Sequence, residues 1–298
     1  MEVEVWSGGV NTWECDEMGH LNVRFWVAKS LEGLAGLALR LDMPRAFSTA
    51  AGATLVVREQ HIRFLREARA GATLTMTGGV VEMGESEARL MLVIRHDSGE
   101  PAATFQTVVA HVTAHDLRPF PWPDRIRAAA EVLAVDVPAF AAARSRDLAP
   151  VESQAGLARA EALGLTRLGL GVLQPQECDT FGRMRAETVI GRISDTVGRM
   201  YPPEGGVTGR GGAVVEYRIL HLAWPRAGDH LEIRSGHVGC DARTRTVLHW
   251  MLDPVTGRPW ATAVAVGVTF DLETRKLVEI PPETQAAFNA KAVAGLGL

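Results

Sequence analysis

The chain spells one segment nearly twice. Glu14-Cys15-Asp16-Glu17-Met18-Gly19-His20-Leu21-Asn22 is echoed by Glu177-Cys178-Asp179-Thr180-Phe181-Gly182-Arg183-Met184-Arg185. The offset is constant, since 177 − 14, 179 − 16 and 182 − 19 all give 163. A period that long exceeds any solenoid repeat and implies two copies of one domain. Further blocks follow in the same order. Glu59-Gln60-His61-Ile62-Arg63-Phe64-Leu65 matches Glu216-Tyr217-Arg218-Ile219-Leu220-His221-Leu222 at 216 − 59 = 157, and Ser98-Gly99-Glu100-Pro101 matches Thr256-Gly257-Arg258-Pro259 at 259 − 101 = 158. A tandem duplication constrains the fold tightly, because both copies must satisfy the same architecture.

Each copy reads as one helix followed by strands. After an extended stretch over 5–14, Val23, Trp26, Val27, Leu31, Leu34, Ala38 and Leu41 recur at three- and four-residue steps, the helical period. That helix is apolar on more than one side, as expected for one wrapped by other structure. Gly33 and Gly36 weaken it by about 1 kcal/mol each relative to Ala, so a sheet packed closely against them is their expected use. Strands are expected over 55–65, 73–81, 87–95 and 103–113, punctuated by glycine turns. The second copy repeats the order, with a helix over 187–200 and strands over 213–222, 230–238, 245–252 and 261–272. The layout is α+β, and the helix can bury itself only by lying across the sheet. The expected organisation is a first domain over 1–116, a proline-broken linker over 117–167 and a second domain over 168–298. The linker should hold short helices over 124–132 and 138–146, and a short surface helix should follow Pro282.

Bulk properties exclude several classes. Hydrophobic content of 47% with 22% charged residues suits a globular chain. A formal charge of −4 gives no basic surface for nucleic acid. No apolar run approaches the roughly 20 residues that span a bilayer, and Met1-Glu2-Val3-Glu4-Val5-Trp6 lacks the basic start of a signal peptide. Three cysteines cannot form a disulfide framework. A cytoplasmic protein with no membrane or nucleic-acid partner is the expectation.

The Asp-x-x-Gly-His-x-Asn segment, entering a long buried helix and followed by a strand meander, resembles the hotdog-fold thioesterases. It is most similar to the hydroxybenzoyl-CoA thioesterase branch and related bacterial acyl-CoA thioesterases. The resemblance covers both halves, so it implies two tandem hotdog domains, each a long central helix wrapped by an antiparallel sheet. It also implies hydrolysis of an acyl thioester, with coenzyme A or acyl-carrier protein as the leaving thiol. Coenzyme A then enters as part of the substrate, with no other cofactor. A homodimer of such double-hotdog chains is a further expectation.

The motif residues suit that chemistry. A thioester carbonyl needs a nucleophile or an activated water, and Asp16 can supply either role. Backbone N–H groups near Gly19 and His20, at a helix N-terminus, are expected to stabilise the oxyanion, where one aimed donor is worth about 3–4 kcal/mol. Glycine there lets a ligand approach the backbone. Asn22 is expected to hold Asp16 or a water, and His20 to orient the loop or substrate. The competing reading of Asp16 is a helix cap. In the second copy Asp179 and Gly182 persist, but Arg183 and Arg185 replace His20 and Asn22, so that site is expected to be altered. Those two arginines, with Arg63 and Arg66, are the candidates for binding the phosphates of coenzyme A.

Some relatives carry the acid about two turns past the glycine, but Trp26-Val27-Ala28 and Val189-Ile190-Gly191 hold none. Glu32 and Asp195 correspond to each other, yet lie roughly 20 Å along a helix from the glycine. Cys15 and Cys178 adjoin the aspartates in an extended segment, so they face the opposite way and are expected to be small buried residues. His111 and His115 lie in a strand, where four residues span roughly 13 Å, so no metal site is expected. The alternatives to a thioesterase are a hotdog hydratase or dehydratase acting on an enoyl thioester, and a non-catalytic acyl-thioester-binding protein.

Overall fold

A computed structural model describes residues 2–200 and 209–298. In chain order the elements are β1 (Val3–Gly9), α1 (Val23–Arg40), β2 (Ala53–Phe64), β3 (Thr73–Met83), β4 (Glu87–His96), β5 (Pro101–Thr113) and α2 (Asp124–Val132). There follow α3 (Leu157–Ala162), β6 (Thr166–Val172), α4 (Glu187–Ser194), β7 (Arg210–His221), β8 (His230–Cys240), β9 (Arg245–Leu252), β10 (Pro259–Asp271) and α5 (Pro282–Asn289). The chain forms two compact units, Met1–Arg144 with Cys178–Thr188, and Ser145–Glu177 with Val189–Leu298.

Within the first unit the strands run β1-β3-β4-β5-β2, and within the second β7-β10-β9-β8-β6. Neighbours within each run are antiparallel. The duplication extends to the irregularities. Val5 and Leu168 are bulged out of the first strand of each copy, Arg58 and Val215 out of the second, and Val81 and Val238 out of the third. A bulge bends its strand and sharpens its twist, so each sheet bends at the same three points.

The first bulge positions the helix. A Cβ added at Gly36 would stand 1.9 Å from the carbonyl oxygen of Val5, and one at Gly33 would stand 2.1 Å from Met76 Sδ. Both glycines therefore serve the close approach of helix and sheet. In the second copy the residue equivalent to Gly36 is Arg199 (199 − 36 = 163), and its Nη1 donates to the Leu168 carbonyl at 2.6 Å. One bulged carbonyl is thus met by helix backbone in the first copy and by a guanidinium in the second.

Termini follow local chemistry. Asn22 caps α1, its side chain accepting from the Arg24 amide. At the other end Asp42 turns left-handed (φ 59°) and the Met43 amide returns to the Ala38 carbonyl, a Schellman closure. The second helix is shorter than its sequence pattern. It stops at Ser194, a separate 3₁₀ turn covers Val197–Met200, and Thr196 Oγ1 bonds the Arg192 carbonyl. A hydroxyl that bonds back to the preceding turn competes with continuation of the helix.

The helix expected over 138–146 is only a 3₁₀ turn, Ala139–Ala141. Its carbonyls are taken by sheet side chains instead. Arg63 Nη1 donates to the Phe140 and Ala142 carbonyls at 3.0 and 3.1 Å, and Gln106 Nε2 donates to that of Ala141 at 2.9 Å. Phe140, Val135 and Val137 then cover Met91 and Val93. In the second unit Arg218 holds the Asp147 and Ala149 carbonyls at 2.7 and 2.8 Å. There Leu157, Val293 and Leu296 close over Leu248 and Trp250. Among the described residues no helix is long and apolar enough to cross a membrane.

This packing can be tested at the helix and in the second core. Gly36→Ala forces the helix off an immovable carbonyl and is expected to lower stability by about 1–3 kcal/mol. Gly33→Ala meets only a flexible thioether and should cost less; urea midpoints of the two variants check the order. In the second unit, burial pushes His221 and His249 down from 6.5 to about 3. Both stay neutral when folded while the unfolded chain takes up protons below pH 6.5. Their contribution is therefore complete above that pH and drains as pH falls towards about 3, by about 1.4 kcal/mol per pH unit for each. Urea midpoints at pH 7, 5.5 and 4.5 should fall accordingly. His221→Phe, which places there the residue type of its counterpart Phe64, should flatten the slope.

Candidate active site

The motif loop is built on a buried ion pair. Glu14 ends the 3₁₀ turn Thr12–Glu14 and accepts from the Asn11 amide at 2.8 Å. Lys29, 4% exposed and two turns into α1, donates to both Glu14 oxygens at 2.8 and 3.0 Å and to the Gly9 carbonyl at 3.1 Å. The second copy repeats each contact. Glu177 accepts from the Gln174 amide at 2.9 Å, while Arg192 bonds Glu177 and the Val172 carbonyl. Lys29 and Arg192 keep the offset of the duplication (192 − 29 = 163), and so do Gly9 and Val172 (172 − 9 = 163).

Between that pair and the helix, Asp16 shapes the loop. Its Oδ1 accepts from the amides of Met18 and His20 at 2.9 and 3.1 Å, and its own amide donates to the His20 carbonyl at 2.8 Å. Gly19 sits at φ 75°, and its amide donates to the Asp16 carbonyl at 2.9 Å. The His20 and Gly19 amides are thus spent inside the loop and do not point at an oxyanion. Among the described residues the Val23 amide, first of α1, makes no hydrogen bond. Asn22 is the helix cap, so its Oδ1 serves Arg24 rather than Asp16. His20 is buried, with Nε2 3.2 Å from Glu67 Oε2, and its strand-like bridge to Arg69 ties the loop to the chain after β2.

Asp179 makes the same turn, its Oδ1 accepting from the Phe181 and Arg183 amides at 2.8 and 2.9 Å around Gly182 at φ 75°. The copies differ at the other oxygen. Asp179 Oδ2 receives Arg183 Nε at 3.2 Å, and that guanidinium also lies over the Phe181 ring. Among the described residues Asp16 Oδ2 has no hydrogen-bond or ion-pair partner.

The four arginines expected to meet phosphates divide by burial. Arg63 is 7% exposed and holds the linker, and the Arg183 side chain is 4% exposed and holds Asp179. Arg66, paired with Glu100 at 2.8 Å, and Arg185, paired with Glu187 at 2.5 Å, reach solvent with 57% and 42% of their side chains. Cys15 is half-buried, its Sγ 3.5 Å from the Asn11 carbonyl. A cavity of about 460 Å³ in the first unit is lined by Met43, Ala46, His111, Phe120 and Arg125. It lies at the C-terminal end of α1 and includes neither Asp16 nor any other motif residue.

The residue that sequence reasoning passes over is Glu187. It opens α4 almost fully buried, and withdrawal from water raises its pKa, opposed by Arg185 and Arg24 and reinforced by Glu32. It lies just ahead of the acid-free segment Val189-Ile190-Gly191. The signal is present in the echo, since its counterpart in the first copy is Arg24 (187 − 24 = 163), a reversal of charge at an equivalent position.

The ion pair under the loop is open to test. Lys29→Met leaves Glu14 buried and uncompensated, and should cost about 3–5 kcal/mol by urea unfolding.

The architecture has counterparts among solved structures. A protein described as an oleoyl thioesterase from Lactobacillus plantarum superposes with a TM-score of 0.69 at 12% identity, covering 89% of this chain and 95% of that one. The 12:0-ACP thioesterase from Umbellularia californica gives 0.66 at 12% identity, covering 90% and 94%. An acyl-ACP thioesterase from Bacteroides thetaiotaomicron gives 0.62 at 11%, covering 88% and 96%. At such identities the likeness is one of fold. No curated protein sequence matches the chain. The family model for the thioesterase-like superfamily matches residues 10–130 and 173–288, one segment in each copy and well over half of the sequence. The chain therefore belongs to the thioesterase-like superfamily and carries its hotdog fold twice.

Proposed function

We propose that this chain hydrolyses an acyl thioester, carried on coenzyme A or an acyl-carrier protein, and that the first-copy Asp16 is the acting carboxylate. The observation that carries the reading is the asymmetry between the two aspartates. Both spend Oδ1 on the loop, but Asp179 is neutralised at Oδ2 by Arg183, whereas Asp16 keeps Oδ2. The fixed oxygen orients the carboxylate and the other oxygen is left to react. Asp16 then either adds to the thioester carbonyl, giving a mixed anhydride that water opens, or takes a proton from the water that adds. With the Gly19 and His20 amides occupied, the oxyanion falls to the Val23 amide at the start of α1, where the helix also contributes its positive end. Arg66 and Arg185, the exposed members of the arginine set, are the contacts for the phosphates of a coenzyme A carrier.

A panel of acyl-CoA substrates with thiol detection tests this. Wild type should release thiol, Asp16→Asn should lose about 100-fold or more in kcat/KM, and Asp179→Asn should lose less than ten-fold. Equal or reversed losses would overturn the ranking. Hydration of an enoyl-CoA without thiol release would replace the reading with a hydratase. Single turnover in ¹⁸O-water identifies a nucleophile when the anhydride is opened at the Asp16 carbonyl, since that leaves label on Asp16 and none in the product acid, an outcome that a general base does not give.

A further inference from the structure

The cavity of about 460 Å³ at the C-terminal end of α1 takes no part in the chemistry of the motif loops. Its size suits a small organic molecule. Met43, Ala46, Phe120 and Ile126 give it apolar walls. The loop that forms one side is already set. The amides of Ala46, Ser48 and Ala51 donate to the carbonyls of Met43, Arg45 and Ser48, and Thr180 Oγ1 donates to that of Phe47 at 3.0 Å. A ligand would not have to order this wall, which lowers the cost of binding.

Another wall carries a histidine with one nitrogen to spare. His111 is 1% exposed, its ring stacked on Trp122 at 4.6 Å and tilted against Phe120 at 4.0 Å. Nδ1 lies 3.1 Å from the Phe120 carbonyl, which can only accept, so Nδ1 carries the proton and Nε2 keeps a lone pair. Burial lowers the pKa, against the Phe120 and Pro121 carbonyls that favour the charged ring, and Arg125 lowers it further. The ring is thus a neutral acceptor at neutral pH. Among the described residues Nε2 makes no hydrogen bond, yet it is not sealed off. His221 differs, because both of its ring nitrogens are enclosed. An acceptor that opens into an apolar cavity is satisfied by a donor on a ligand.

The rim has a different character. Arg125 is exposed and bonds the Asp42 carboxylate at 2.5 Å, so that pair is close to neutral. Arg45 also lines the cavity and is exposed, and among the described residues it makes no ion pair. The opening therefore carries a net positive charge. We propose that this cavity binds a small amphipathic carboxylate with a hydroxyl at its far end, the hydroxyl donating to His111 Nε2 and the carboxylate meeting Arg45. The site holds no motif residue and does not rest on the hydrolase reading.

Titration calorimetry with octanoate and ω-hydroxyoctanoate tests it. Apolar burial alone favours octanoate, so a preference of about five-fold for the hydroxy acid requires the buried acceptor. His111→Phe keeps a ring against Trp122 and should reverse the order. Arg45→Gln should weaken both acids by about three-fold. Ala50→Trp fills the cavity from an exposed lining position and should abolish binding of both. Octanoate binding to wild type as tightly as the hydroxy acid, a hydroxyl preference that survives His111→Phe, or unchanged binding in Ala50→Trp would overturn the site. If His111→Phe does not fold by thermal melt, the wild-type order and Ala50→Trp decide the question.

Discussion

Glu14 and Lys29 are brought together from opposite sides of the motif loop, one at its entry and one two turns into the helix that follows. With both ends clamped, the loop cannot drift relative to α1, and the turn at Asp16 always presents the same atoms. The carboxylate and ammonium are nearly dry, so neither tolerates loss of the other. The Gly9 carbonyl adds the last strand residues of β1 to the same clamp. Glu177, Arg192 and Val172 repeat the arrangement with a guanidinium in place of the ammonium. Because both copies keep it, the clamp belongs to the fold rather than to one site.

Several differences between the copies change a charge. His20 becomes Arg183, which neutralises the second aspartate, and Arg24 becomes Glu187, which places a buried carboxylate where the first copy has a cation. Gly36 becomes Arg199, and helix backbone against a bulged carbonyl gives way to a side-chain hydrogen bond. A duplicated fold can make such exchanges because the sheet, its three bulges and the clamp hold the frame constant. Two equivalent positions then become free to take unequal roles.

Much of the fold is legible because its signals are local. The helix at 23–40, the strands at 87–96 and 245–252 and the short helix at 124–132 follow from period, glycine punctuation and capping. The strand Thr166–Val172 does not read as one, since Gly169 and Gly171 weaken its pattern. Only the echo locates it, because both of its ends stand at the duplication's offset from Val3–Gly9 (166 − 3 = 163 and 172 − 9 = 163). The stretch 138–146 reads as helix because nothing in it reveals that Arg63 and Gln106 take its carbonyls. The Asp-x-x-Gly motif is equally legible as a loop, but the fate of its amides is not. Hydrogen bonds from Gly19 and His20 back to Asp16 depend on φ and ψ at three residues, which composition does not specify.

By itself the sequence determined the duplication, the α+β class, the family resemblance and the position of the paired aspartates, because each is written in residue order and spacing. Tertiary structure alone decided which carboxylate oxygens are occupied and which arginines are buried. It alone also showed that Glu187 is enclosed with one oxygen unpaired among the described residues. Those outcomes are set by desolvation and by partners distant along the chain, and a linear pattern carries neither.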